Sequence, residues 1–154
     1  MSQLPAGPLV VDASFLISVA EADPLAMRFT SVLLRSRISA VTFGEVCYKL
    51  EQKSGVAASD THTTFVGLGV TIDPVTTAHS LLFSQLKDID AAGRAAHTGP
   101  KPVKSLSLGD IVCLAHAMAA GNLSVLTGDK HWLTLPAHGL PLAVFDYRDR
   151  GLLP

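Results

Sequence analysis

Short, nearly continuous apolar runs alternate along this chain with longer stretches in which apolar residues recur every three or four positions. The short runs lie in PLVVDAS, RISAV, VTIDPV, SVLTGD and PLAVFDY, and they read as strands. Helical periodicity starts at Ser14 and ends near Ala20, then resumes in DPLAMRFTSVLLRSR, with Asp23 as cap and Pro24 at the first helical position. A third helix is expected in TFGEVCYKLEQKSG, closed by Gly55, and a more polar one in SDTHTTFVGLG. TTAHSLLFSQLKDIDAAG and SLGDIVCLAHAMAAG complete the helical set, and KHWLTL reads as a short turn. The stretch 93–107, GRAAHTGPKPVKSLS, has linker composition and is expected to be flexible and basic. There is no internal repeat. The alternation predicts an α/β fold, a single domain over 1–154 with a mostly parallel central sheet of about five short strands flanked by helices. In such a sheet the site lies at the carboxyl ends of the strands, where the strand order reverses.

Composition narrows the function classes. With 48% hydrophobic residues the chain has the means to bury a core, which excludes disorder, and a formal net charge of −1 excludes a general cationic coat for nucleic acid. Any nucleic-acid partner must therefore be met by a local basic patch. Only 16% of residues are charged, so part of the apolar surface is expected to be covered by a second copy. The segments around Leu25–Leu34 and Leu81–Leu86 are the candidate homodimer surfaces. Cys47 and Cys113 make no disulfide framework and read as buried thiols of a reducing compartment. The start, MSQLPAGPLVVDAS, lacks the basic opening of a secretion signal, and no stretch is apolar enough to span a membrane. A cytoplasmic location is expected.

The candidate chemistry is carboxylate. Asp12 ends the first strand and Asp129 the TGD strand, while Glu45 and Asp110 open helices in matching contexts, Thr42-Phe43-Gly44-Glu45 and Ser107-Leu108-Gly109-Asp110. Taken singly, each is explained by helix capping: Asp12 and Asp129 as caps, the other two as the third residue of capping boxes on Thr42 and Ser107. Capping does not explain why all four belong to elements that should meet at one end of the sheet. Converging carboxylates repel unless a cation compensates them. Hard oxygen donors without histidine or thiolate beside them suit Mg²⁺ or Mn²⁺.

VVDAS, the helix start at Glu45, SLGDIVCLAHAMAAG and SVLTGDKHW together resemble the four acidic motifs of the PIN domain, in the order and spacing of VapC-type toxins of type II toxin-antitoxin systems. The similarity spans Leu9 to Tyr147. It implies a metal-dependent endoribonuclease that hydrolyses RNA phosphodiesters to 5′-phosphate and 3′-hydroxyl ends and is held in check by a small cognate antitoxin. Carried over, the acids fall on Asp12, Glu45, Asp110 and Asp129, with Asp12, Asp110 and Asp129 expected to hold Mg²⁺ or Mn²⁺ and Glu45 to position or deprotonate water. The family's supporting hydroxyls fall on Ser14 and Thr127, where local turn bonding is the competing explanation.

Phosphate contacts need cations. Lys49 and Lys53 share the helix face of Glu45, and Arg94, His97, Lys101 and Lys104 lie in or beside the linker-like stretch; a solvated surface is the plain alternative for both groups. Trp132 is expected in the core, not stacked on a base. The six histidines show no metal-ligand spacing, and His116 reads as a satisfied helix residue. Asp146 ends the last strand, where the resemblance implies a sheet edge and a turn role. Two other functions compete: a non-catalytic PIN-like module binding RNA or protein, against which the complete acid set counts, and a receiver-type domain. The latter fails because the first loop offers only Asp12 and Asp73 is followed by Pro74.

Overall fold

The computed structural model describes residues 2–154. β1 (Ser2–Gln3) precedes β2 (Leu9–Val11), α1 (Ala13–Ala20), α2 (Pro24–Met27) and a 3₁₀ turn over Thr30–Arg35. β3 (Ser36–Ser39), α3 (Ala40–Ser54), α4 (Ala58–Gly67) and β4 (Thr71–Asp73) follow, then α5 (Thr77–Ser80), α6 (Phe83–Ala95) and α7 (Leu108–Ala119). β5 (Val125–Thr127), a 3₁₀ helix over Lys130–His138, β6 (Val144–Asp146) and β7 (Leu152–Leu153) close the chain.

The central sheet has five strands in the order β4-β3-β2-β5-β6, and every pairing is parallel. Alternation along the strands divides the core. Leu9, Val11, Ile38 and Leu126 face α1, α3 and α4, whereas Val10 and Val125 face α6, α7 and the second 3₁₀ helix. Both faces are covered, which is why the strands read as nearly all apolar. The chain runs outward from β2 through β3 to β4, then returns to the other side of β2 for β5 and β6. The order therefore reverses between β2 and β5, and in open sheets of this kind ligands bind at the strand ends beside such a reversal.

Several elements differ from the sequence reading. The helix expected over DPLAMRFTSVLLRSR stops at Met27, and the chain continues as a 3₁₀ turn. Thr30 Oγ1 bonds back to the Met27 carbonyl, and Phe29, Val32 and Leu33 are drawn into the core. The flanking arginines are occupied with the chain ends. Arg28 donates to the carbonyls of Asp149, Arg150 and Leu152, and Arg35 to those of Pro5 and Gly7. They buttress a second, two-stranded parallel sheet of β1 and β7 that the pattern did not show, each strand being two residues long. The helix expected over TTAHSLLFSQLKDIDAAG is broken after Ser80, and α6 begins at Phe83; Leu81 is left outside while Leu82 and Phe83 pack on the second core. KHWLTL belongs to a nine-residue 3₁₀ helix that buries Trp132. Residues 93–95 of the linker-like stretch belong to α6.

One expectation about side chains is corrected: Cys113 is buried, but Cys47 is only half-buried on α3. Two of the histidines lie together. His116 Nε2 meets Asp73 Oδ2 at 2.9 Å, Arg37 Nε meets the same oxygen at 2.8 Å, and the His79 ring stands edge-on to His116 at 5.6 Å. This cluster neutralises the end of edge strand β4. No helix among the described residues is long and apolar enough to cross a membrane.

Candidate active site

Asp12 is the first residue past β2, and its backbone N–H still bonds to Leu126 of β5 at 3.0 Å. As N-cap of α1 it receives the Ala13 N–H on Oδ1 at 2.8 Å. Its Oδ2 receives the hydroxyls of Ser14 at 2.8 Å and Thr127 at 3.0 Å. Those two hydroxyls in turn accept from the β5 turn: Gly128 N–H donates to Ser14 Oγ and Asp129 N–H to Thr127 Oγ1, both at 3.0 Å. The T-G-D turn is thereby tied to Asp12. Gly128 is required for this, because a Cβ there would stand 2.8 Å from Tyr147 Cε1 and 2.7 Å from Arg148 Nη2.

Asp129 caps the second 3₁₀ helix through His131 N–H on Oδ1 at 2.9 Å. Asp110 forms the expected capping box, its N–H on Ser107 Oγ at 3.1 Å and its Oδ2 on Ser107 N–H at 2.8 Å. Glu45 differs. α3 is capped by Ser39, whose Oγ accepts the Thr42 N–H, so Thr42 lies inside the helix and Glu45 in its second turn. The capping explanation is removed for Glu45. Its carboxylate instead reaches the start of α7, where a Cβ on Gly109 would lie 3.4 Å from Glu45 Oε2.

The electrostatics show that the four carboxylates share one region. Burial, with a further push from Asp110 and against three hydrogen bonds, raises Asp12 to about 6. Asp110 is raised by burial and then by Asp129 and Asp90, and Glu45 by burial and then by Asp110, with Lys49 opposing. Beneath them the Cys113 thiol, buried and facing Asp12, Asp110 and Glu45, is held well above its ordinary pKa, which makes it inert.

Carboxylates that resist ionisation together in this way fit a bound cation. Asp110 Oδ1, Asp129 Oδ2 and both oxygens of Glu45 have no hydrogen-bond partner among the described residues. As placed, no three His, Cys, Asp or Glu side chains among the described residues stand close enough to hold a metal ion together.

The basic candidates divide. Lys49 lies beside Glu45, Lys53 is paired with Glu21 at 3.0 Å, and Arg94 with Asp90 at 3.1 Å. Lys101 and Lys104 are exposed on the loop before α7, and the Lys101 carbonyl meets His97 Nε2 at 2.8 Å. A cavity of about 370 Å³ is bounded by His97, Lys130, His131 and His138, the middle two following Asp129 in the chain. Asp146 accepts the Arg148 N–H in a turn at the sheet edge. Asp90 and His131, joined at 2.8 Å, are the residues at this end of the molecule that sequence reasoning missed. In the sequence Asp90 resembles a solvated partner of Arg94 one helical turn on.

Comparison with known proteins agrees with this architecture. The chain is similar in fold to the VapBC2 complex of Rickettsia felis bound to a promoter DNA fragment, with a TM-score of 0.64 at 12% identity over 95% of this chain and 98% of that one. It is also similar to DNA-bound VapBC of Salmonella typhimurium, with a TM-score of 0.60 at 19% identity over 92% and 98%. A search among curated protein sequences gave no match. The PIN domain family matches residues 9–137, which include all four acids. The chain belongs to the PIN domain family.

Proposed function

We propose that this protein is a Mg²⁺- or Mn²⁺-dependent endoribonuclease, the toxin of a VapBC-type pair. The observation that supports this most is the raised proton affinity of Asp12, Glu45 and Asp110, with Asp129 acting on Asp110, near the point where the strand order reverses. A divalent cation held there supplies Lewis acidity at the phosphate and makes water a nucleophile at neutral pH. Asp12, Asp110 and Asp129 would hold it. Ser14 and Thr127 orient the Asp12 carboxylate by donating to its Oδ2. Glu45, exposed and free of capping duty, has its proton affinity raised toward the range useful in a general base and accepts a proton from water. RNA phosphates flanking the scissile bond meet Lys49, Lys101 and Lys104, and the groups around the His97–His138 cavity take up the strand beyond Asp129. Lys53 joins them by exchanging Glu21 for phosphate, and Arg94, which holds Asp90 through Nε, by offering its terminal N–H groups.

The antitoxin reading draws on the VapBC neighbours and on one surface feature. Val19, Met27, Leu33, Leu50, Phe65 and Leu68 line an apolar groove of about 500 Å³ between the first turns, α3 and α4. An amphipathic antitoxin helix fits such a groove, and an antitoxin Arg reaching the acids would compete with the cation through bidentate pairing. The test is cleavage of RNA with Mg²⁺ and with chelator, followed by mapping of the new 5′ ends. Mg²⁺-dependent cuts bearing 5′-phosphate, lost in Asp12→Asn, are expected; cleavage that persists in chelator, or 5′-hydroxyl ends, would refute the mechanism.

A further inference from the structure

The second core contains a buried carboxylate outside the set of four, Asp90 on the inner face of α6. Burying a charge is costly unless it is paired and hydrogen-bonded, so its partners reveal what the position is for. Three donors meet it: His131 Nε2 on Oδ1 at 2.8 Å, Arg94 Nε on Oδ2 at 3.1 Å and the Leu106 backbone N–H on Oδ2 at 3.2 Å. Burial works against ionisation here, but the bonds from His131, Leu106 and Arg94 outweigh it and keep the carboxylate below its ordinary pKa.

Arg94 comes from the same helix. The other two donors come from the segments that carry catalytic candidates. Leu106 immediately precedes Ser107, the cap of α7, whose N–H holds Asp110 Oδ2. His131 follows Asp129 by two residues and holds Asp129 Oδ1 with its own backbone N–H. One carboxylate thus spans the Asp110 segment and the Asp129 segment, one on each oxygen. Asparagine offers a single acceptor oxygen, so it keeps both His131 and Leu106 only if the His131 ring changes tautomer and accepts from the amide NH₂.

We propose that Asp90 is a positioning residue of the nuclease site, holding the cap of α7 and the Asp129 turn at the separation that a shared divalent cation requires, with His131 as the link to Asp129. The proposal rests on the cation-dependent reading of the four acids and adds a fifth carboxylate to it, one that touches neither cation nor RNA. General structural support from Asp90 would lower stability alone. Positioning lowers cation affinity and turnover in a protein that remains folded.

The test uses Mn²⁺ alone as a probe, titrated calorimetrically into the full chain and into Asp90→Asn, His131→Ala, the double variant and His131→Gln, each first shown to be folded by circular dichroism. Asp90→Asn and His131→Ala are expected to weaken Mn²⁺ binding and to lower kcat for RNA cleavage by roughly 10- to 100-fold. The double variant should be no worse than the poorer single one, and His131→Gln, which retains an N–H donor toward Asp90, should recover most of the loss. If Asp90→Asn does not fold, His131→Ala against His131→Gln makes the same comparison. Single variants that bind Mn²⁺ within about twofold of the parent and cleave normally, or losses that simply add, would overturn the clamp while leaving the four-acid reading intact. A folded parent protein that neither binds Mn²⁺ nor cleaves RNA would refute that reading and the clamp with it.

Discussion

At Asp12 three hydrogen-bond donors converge on a carboxylate that burial nevertheless pushes from 3.8 up to about 6. Between those two values the folded protein holds a proton that the unfolded chain has released. Stability of the cation-free protein should therefore fall as pH rises through this interval, by about 3 kcal/mol once Asp12 is fully charged. Burial raises Asp110 and Glu45 in the same direction. Asp12→Asn is expected to flatten this part of the profile and to melt no lower than the parent at pH 7.5. Thermal melts in chelator from pH 4 to 7.5 check this, and a variant far less stable at every pH would contradict it. Three of the acids were legible in the sequence because each sits where a strand ends or a helix begins. Glu45 was legible for a mistaken reason: Thr42 resembles a cap, but Ser39 occupies that position. Asp90 was not legible, because two of its three partners are distant in sequence and only packing of α6 against α7 and the second 3₁₀ helix brings them together.

The elements show which local signals outlast tertiary packing. Gly55 ends α3 in a left-handed conformation, and the Ser107–Asp110 box starts α7, both as the residues indicated. The long helices expected after Asp23 and after Thr76 did not persist, because apolar periodicity continues across a break whenever both pieces face the same core. The pairing of β1 with β7 depends on carbonyls met by Arg28, a contact that no local window contains. The α7 cap also allows a prediction. Ser107→Ala removes the acceptor for the Asp110 N–H and should cost about 1 kcal/mol in a denaturant titration. Because the same box orients Asp110, cleavage should fall by more than the change in folded fraction accounts for. A stability loss with full activity would show that the cap does not serve the site.

For the molecule as a whole, the parallel sheet and its covered faces were readable from β-branched runs alternating with helical periods, since that pattern has few other ways to bury its apolar surface. What covers the outside was readable only as an expectation of low charge. Leu34 is 77% exposed and Leu81 78%, one in each segment nominated for self-association, although Leu86 is fully buried. Sedimentation at micromolar concentration is expected to show a dimer, and Leu34→Glu with Leu81→Glu a folded monomer; a monomeric parent would remove the homodimer proposal. Whether Asp12, Glu45, Asp110 and Asp129 act as one cation-dependent site is decided by a single comparison. RNA cleavage rates at saturating Mg²⁺ are measured for the parent and for Asp12→Asn, Glu45→Gln, Asp110→Asn and Asp129→Asn, each confirmed to be folded. Every variant is expected to lose at least about two orders of magnitude in rate, and combining any two to lower it little further, as for groups that act as a unit. Any one of the four variants retaining the parent rate would contradict it.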